Sequence, residues 1–390
     1  MNQKVIIQLY PSPIINASRI LRETESLIKL GIADKIFICG IGSEEYKEIE
    51  QIDKNRTIIR IRSDDNFRQL LNKGLIGRFH IIKTYIRYGI QVLKLVKTKK
   101  PQFITIRRVE LLPLGFFAKI ISLGRTKLIY SPHELESERE GIDRVTSFLF
   151  KSIEHIFIPF STSVVVVNDA IRDWYLKQYY HKKIFSVTNT PQKKEILFNS
   201  EKKNILRKLH SIPNNHFIFL YQGLLTKSRG IDFLLSVFSE GDPNKHIVLM
   251  GMGPYCEIIR QYENEFSNIH FQKAVHPSEI VQYTSSADVG VFFLSGLPGL
   301  SYKLSLPNKF SEYLMAGLPV LVSSNLIFLS QIIEEKRLGW ILESSEEKYF
   351  KSFLNNIDKK EIETFDKNIQ KYISEIGWEF EEIKLLEIYH

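Results

Sequence analysis

The feature that most constrains the fold is a series of short apolar runs that begins, stops and begins again. KVIIQLY, KIFICG, FITIR, KLIY and SVVVV occur before residue 190, with a helical stretch Ser18–Leu30 between the first two. FIFLYQG (Phe217–Gly223), HIVLMG, NIHF, DVGVFFL and PVLVS follow, again with helical stretches between them. Each run is apolar throughout rather than alternating, as strands are when helices cover both faces of a parallel sheet. The interleaved helices complete a βαβ rhythm. Between the two series lies the polar, proline-containing segment VTNTPQKKEILFNSEKKN (187–204), which has no periodicity and reads as a linker. The expectation is an α/β protein of two Rossmann-like domains, 1–190 and 205–365. Residues 366–390, ending WEFEEIKLLEIYH, read as one long amphipathic helix. A chain of 390 residues supplies apolar material for two such cores.

Charge and cysteine content narrow the setting. The apolar stretches Ser163–Val167 and Val289–Leu294 fall well short of the roughly 20 residues that span a bilayer. Only Cys39 and Cys256 are present, and the opening MNQKVIIQLY has no leader pattern, so a cytoplasmic location is expected. The net charge of +9 is uneven: residues 1–190 carry 31 Lys+Arg against 19 Asp+Glu (+12), which leaves 22 against 25 (−3) for the rest. Within 66–109 there are eleven basic residues and no acidic one. There Ile76, Phe79, Ile82, Tyr85, Ile86, Ile90 and Leu93 recur at helical spacing, the pattern of an amphipathic helix lying on an anionic membrane surface. No RNP-like motif is present, so nucleic acid is not an expected partner.

The chemistry-bearing segments lie at strand ends. In SLPNKFSEYLMAGLPVLVS (Ser305–Ser323), Ser305 suits a helix cap, Pro307 the first turn and Gly317 the stop before PVLVS. Asn308 and Glu312 then share a face, and Lys309 sits in the first turn, where free N–H groups favour a diphosphate. Glu312 offers paired acceptors at the spacing of a ribose diol. The plain alternative is a surface helix with solvated charges. In YQGLLTKSRGIDFLL (Tyr221–Leu235), Gly223 lets backbone approach a ligand and Arg229 can fork onto phosphate oxygens, although a basic strand–loop–helix is common. Gly251 and Gly253 form a further turn in LMGMGP. No GxGxxG or Walker pattern is present.

In the first half, His133 and Glu134 follow the strand KLIY at its carboxyl end, where open α/β sheets bind ligands. His133 can bond a sugar hydroxyl or a leaving phosphate. Glu136, Glu138 and Glu140 read as a solvated face, and Asp64–Asp65 as a loop. Ser12, Pro13 and Arg19 are expected at the end of the first strand, as an acceptor or cleft contact. There is no HExxH, no cysteine pair and no histidine ligand spacing, so no metal site is expected.

Taken together and in order, YQGLLTKSRG, GMGP and PNKFSEYLMAGLPVL resemble the donor-binding segments of the retaining glycosyltransferases of family 4 and its relatives. Arg19, Arg22 and Glu23 resemble a subgroup's RxxRE helix, Tyr130, His133, Glu134 and Leu135 its YxxHEL segment, Asn189 and Pro191 its NxP linker, and Trp378–Tyr389 its closing helix. The resemblance implies the GT-B fold, with two Rossmann-like domains facing across a cleft and the C-terminal helix 366–390 crossing back to the first. It implies sugar transfer from a nucleotide-sugar donor with retention of configuration, with no metal or other cofactor required. Arg229 and Lys309 would neutralise the donor phosphates, Asn308 would lie beside them, Glu312 would hold the ribose, and His133 with Glu134 would serve the transferred sugar.

A glycan or polyprenyl-linked acceptor in bacterial surface polysaccharide synthesis, such as lipopolysaccharide or capsule, is the implied partner, with the protein peripheral on the inner face of the membrane. Two positions depart from the pattern. Leu304 stands where many members have a Glu eight residues before the helix glutamate, a role that the backbone of Ser295–Ser301 can take over, and Leu224 stands where many have Arg. Two other readings stay open: a GT-B scaffold without catalysis, and a nucleotide-sugar epimerase, which needs acid/base carboxylates.

Overall fold

The computed structural model describes residues 3–15, 17–63, 74–179, 183–193, 204–294, 298–343 and 346–390. Asp64–Asp65, residues 66–73, part of the Ser295–Ser301 loop and the side chain of Ile76 lie outside the described residues. The chain divides into two compact units, Met1–Thr188 with Glu381–His390, and Asn189–Phe380.

The first unit is built on an eight-stranded sheet. Its strands are β1 (Val5–Leu9), β2 (Lys35–Gly42), β3 (Ile49–Gln51), β4 (Arg56–Arg62), β5 (Phe103–Ile106), β6 (Lys127–Tyr130), β7 (Ser163–Val166) and β8 (Ile184–Ser186), in the order β3-β4-β2-β1-β5-β6-β7-β8. All neighbours run parallel except β3 against β4. Strands β1 and β5–β7 are buried almost to the last residue, which is why their sequences show no alternation.

The second unit holds six parallel strands: β9 (Phe217–Leu224), β10 (Lys245–Met252), β11 (Ile269–Lys273), β12 (Val289–Phe292), β13 (Val320–Ser323) and β14 (Gly339–Leu342), in the order β11-β10-β9-β12-β13-β14. Successive residues of a strand point to opposite faces, and here both faces are packed. Ile218, Leu220, Val248, Met250, Val320 and Val322 join one core, and Phe219, Tyr221, Ile247, Leu249 and Leu321 the other. The order of the strands reverses between β1 and β5 and again between β9 and β12, so each unit has a switch point where ligands settle beyond the carboxyl ends.

The end of the chain differs from the expected single helix. It forms three, Asp366–Glu375, Trp378–Glu382 and Lys384–Ile388, the first of them ending where Ile376 is extended and Gly377 follows it. The first of these stays with the second unit, where Ile369 and Ile373 enter the core. Return to the first unit begins at Glu381, not at 366.

Within the first unit the last ten residues are held by buried polar contacts. Tyr389 Oη accepts from Gln8 Nε2 (3.2 Å), donates to Glu23 Oε1 (3.3 Å) and lies 2.9 Å from Thr105 Oγ1. Glu382 accepts from Ser26 Oγ and Lys29 Nζ, both at 2.6 Å. Among the described residues no helix is long and apolar enough to cross a membrane.

Candidate functional site

Strands β9 and β10 end side by side at two glycines. Gly251 pairs with Gly223, and a Cβ on Gly251 would stand 1.8 Å from the Gly223 carbonyl oxygen. Gly223 itself has φ +130°, a conformation that L side chains rarely adopt, and the space above it is shared with the Lys309 ammonium, 3.6 Å from a Cβ there. Gly253 (φ +151°) turns so close to Leu225 that a Cβ would meet its carbonyl at 2.3 Å. Gly251 and Gly253 are therefore fixed by backbone approach and Gly223 by its positive φ, and the glycine pair Gly223 and Gly251 leaves an open floor at the strand ends.

The helix Asn308–Met315 stands beside that floor. Its cap is Pro307 (φ −74°, ψ 146°), not Ser305; the Ser305 hydroxyl instead closes the preceding turn on the Tyr302 carbonyl at 2.9 Å. Tyr313 locks the helix in place. Its ring fills the space a side chain at Gly290 would need, its hydroxyl donates to the Val291 carbonyl (3.1 Å) and it accepts from the Gln222 N–H (3.1 Å). With Phe310 and Leu314 in the core, Asn308, Lys309 and Glu312 are left on the face toward the floor.

The resulting pocket of about 380 Å³ brings together Gly223, Arg229, Gly251, Asn308, Lys309 and Glu312, with Met250, Val275 and Ile280 as apolar walls. Lys309 reaches inward until its ammonium is 3.9 Å from the centre of the Tyr221 ring and 4.5 Å from that of Phe292. Loss of hydration, and then the charge of Arg229, push its pKa well below the usual lysine value, against a smaller opposing pull from Glu312. Arg229 lies over the Tyr302 ring at 4.8 Å. Among the described residues no carboxylate is within ion-pairing distance of Lys309 or Arg229. Two cations held this way stabilise an incoming anion.

Gln222 was not visible as a site residue, yet its amide N–H donates to Glu312 Oε2 while its carbonyl oxygen accepts from Thr284 Oγ1 (2.8 Å). It thereby orients the carboxylate. The signal was a lone polar side chain in an otherwise apolar strand. Asn308 Oδ1 accepts from Asn189 Nδ2 at 3.0 Å.

In the first unit His133 sits beyond β6, 3.4 Å from Arg107 Nη1 and with its ring 5.2 Å from that of Tyr10. Burial, followed by the charges of Arg19, Arg107 and Arg108, pushes its pKa well below the usual histidine value, so the ring is neutral at pH 7. Tyr130 of the same segment is a scaffold residue: its hydroxyl donates to buried Glu154 at 2.7 Å. Glu134 turns to Arg139 (2.9 Å) and is 44% exposed, so the structure does not join it to His133. Arg19 is buried and donates to the Val187 carbonyl (3.0 Å), its pKa lowered to about 10 by burial. Ser12 follows β1, its carbonyl accepting from Ile41 N–H at 3.0 Å.

Glu136 corrects the expectation of a solvated face. The chain after β6 tightens into a 3₁₀ turn, Glu136–Glu138, packed on the helix Arg144–Phe157, which leaves Glu136 1% exposed. Among the described residues its Oε1 has no hydrogen-bond partner, and its Oε2 lies 3.3 Å from Arg139 and 3.5 Å from Arg108. Burial outweighs the arginines and pushes its pKa to about 8. An unfolded carboxylate titrates near 4.5, so the folded chain holds a proton that the unfolded chain has lost between these values. Stability is therefore expected to be full below about pH 4.5 and to fall, by about 5 kcal/mol, as pH rises from there to about 8. Glu136→Gln should flatten that decline in urea unfolding across pH 5 to 9, whereas parallel profiles would mean that Glu136 is ionised in the native protein.

Residues 243–378 match the family described as glucosyltransferase 3-like, C-terminal domain. That span contains Gly251, Gly253, Asn308, Lys309 and Glu312. A search of curated protein sequences finds no match. Among solved structures, HepE from Anabaena in complex with UDP-glucose superimposes with a TM-score of 0.73 at 14% identity over 98% of each chain. Sucrose-phosphate synthase from Thermosynechococcus elongatus gives 0.72 at 15% identity over 99% of this chain and 98% of that one. WaaG, a glycosyltransferase involved in lipopolysaccharide biosynthesis, gives 0.66 at 13% identity over 99% of both. With two Rossmann-like units, parallel sheets and matches along nearly its whole length, this chain has the fold of the GT-B glycosyltransferases.

Proposed function

We propose that the chain is a retaining, metal-independent glycosyltransferase that takes a nucleotide-sugar donor into the pocket of the second unit and passes the sugar to a glycan or polyprenyl-linked acceptor at the cytoplasmic face of a bacterial membrane, in surface polysaccharide synthesis. What supports this most directly is the convergence of Lys309, Arg229 and Glu312 on a glycine floor at a switch point. Two cations short of counter-charge suit a diphosphate, and a carboxylate oriented by Gln222 suits a ribose diol. HepE with UDP-glucose and HepE with UDP are among the similar structures, which makes a UDP-sugar the first donor to test. The neutral ring of His133 offers one donor and one acceptor for a sugar hydroxyl, and Ser12 and Arg19 are the first unit's candidates for acceptor contact.

The experiment is a thermal-shift panel of UDP-, GDP- and CMP-sugars, in which a donor at 100 times its Kd adds about 2.7 kcal/mol. Product analysis then separates transfer from epimerisation. If no donor shifts the protein, the non-catalytic scaffold replaces this function.

Membrane docking is supported by the first unit's surface. Within the basic stretch Gly74–Lys99 form a helix, and its apolar positions divide: Tyr88, Val92 and Val96 are buried, while Phe79, Ile82, Ile86 and Ile90 are 57–68% exposed. Tyr85 and Leu93, expected on the membrane face, are half-buried. Packed in succession are the helices Leu112–Ile121, exposing Phe117 and Ile120, and Arg144–Phe157, exposing Val145, Phe148 and Leu149. Replacing Lys83, Arg87, Lys94 and Lys97 by Gln should weaken binding to anionic vesicles at about 1 kcal/mol per charge and leave donor binding unchanged. Equal sedimentation with anionic and neutral vesicles would remove the membrane from the proposal.

A further inference from the structure

At the opposite ends of β9–β11 from the donor pocket lies a group of histidines that the proposed chemistry does not use. His216 precedes β9, His246 is the second residue of β10 and His270 the second of β11. His216 Nδ1 is 2.8 Å from His246 Nε2, and His246 Nδ1 is 2.9 Å from His270 Nε2, with the last two rings stacked at 5.2 Å. His210, at the end of the helix Ile205–Leu209, places its ring 4.8 Å from that of His270. Glu263, on the helix Cys256–Glu265, reaches the same point, its Oε1 3.8 Å from His210 Nδ1 and held by the Phe271 N–H at 3.0 Å. One ligand atom from each of His210, Glu263 and His270 lies within 4.8 Å of the other two.

We propose that His210, His270 and Glu263 form a zinc site that clasps the helix Ile205–Leu209 to the sheet of the second unit. Two imidazole nitrogens and one carboxylate oxygen are a donor set that suits Zn²⁺, which takes such ligands at about 2.0–2.2 Å and fills a fourth position with water. The three side chains come from three different segments, which is why no ligand spacing shows in the sequence. One further observation points to a ligand. His270 has a ready-made outer shell. Each imidazole–imidazole bond needs one N–H and one lone pair, so a metal on the remaining nitrogen of His270 sets its Nε2 as donor to His246, which in turn donates to His216. Metal-bound histidines are oriented by such outer partners.

Gly251 lies five positions along β10 from His246, about 16 Å at 3.3 Å per residue, so the ion would take no part in transfer. To coordinate in a tetrahedral site, ligand atoms now up to 4.8 Å apart must approach to about 3.4 Å. Glu263, about a third exposed, and His210, at the end of a five-residue helix, have room to do so.

Full-length protein stripped with chelator and titrated with ZnCl₂ in a calorimeter is expected to take up one Zn²⁺ per chain, with a rise in Tm. Glu263→Gln and His210→Gln should each abolish both responses, and His246→Gln, which keeps the three ligands but breaks the imidazole chain, should weaken binding about tenfold. Circular dichroism and an unchanged donor-induced thermal shift would show that the variants fold. If His210→Gln fails to fold, Glu263→Gln decides. Wild-type protein that binds no zinc, or Glu263→Gln protein that binds it equally well, overturns the site.

Discussion

Gly251→Ala is expected to remove donor binding and to destabilise the second unit by about 3 kcal/mol or more. The added methyl would lie 1.8 Å from the Gly223 oxygen and 3.3 Å from Leu225 Cγ. The oxygen belongs to the backbone of the neighbouring strand, so no side chain can swing aside, and β9 and β10 must part at their carboxyl ends. Overpacking that moves backbone costs more than a flexible contact. The parting also lifts Gly223 from beneath the Lys309 ammonium and deforms the pocket floor. Urea unfolding and the donor thermal shift measure the two effects separately. A variant of wild-type stability that still responds to the donor would show that the glycine pair is not the floor of the site.

The second large effect falls on the charges. Arg229→Ala and Glu312→Ala should each weaken the responding nucleotide sugar by about 1–3 kcal/mol, roughly 5- to 150-fold. Lys309→Met should go further and separate stability from function. The ammonium is enclosed by Tyr221 and Phe292 with no paired carboxylate among the described residues, so the methionine protein is expected to melt a few degrees higher, about the effect of relieving one strained functional group, while its donor shift disappears.

The depressed pKa of Lys309 gives a further sign. A bound diphosphate favours the charged amine, so at pH above that lowered value binding takes up a proton and affinity falls as pH rises. Calorimetry in buffers of different ionisation enthalpy reads the proton directly. A Lys309→Met protein that binds the donor as the parent does would exclude this lysine from the phosphate site.

Much of this was legible in the chain. Strands buried on both faces must be apolar throughout, so β1, β5, β9, β10, β12 and β13 announced themselves. Lys309 and Glu312 could be placed because helix spacing and a following glycine locate them relative to a strand end. What was hidden depends on contacts made at a distance. Gln222 matters through Glu312 and Thr284, far away in sequence. Glu136 looked like its exposed neighbour Glu140, and only the packing of its turn against the helix Arg144–Phe157 buries it. Arg107, buried completely and shared by Gln8 Oε1 (2.8 Å) and Glu23 Oε1 (2.8 Å), read as one more charge of a basic surface. The C-terminal helix was misread because amphipathic periodicity continues through Ile376 and Gly377, although the backbone there does not.

The anchoring of Tyr389 and Glu382 into the first unit also orders events during synthesis. Every residue of the second unit leaves the ribosome before Glu381, whereas the first unit, begun earliest, still lacks the phenol that satisfies Gln8 and Glu23 and the carboxylate that meets Ser26 and Lys29. Domains fold as they emerge. Here the unit started first is finished last, and for most of translation its central strand β1 carries a buried amide waiting for its partner.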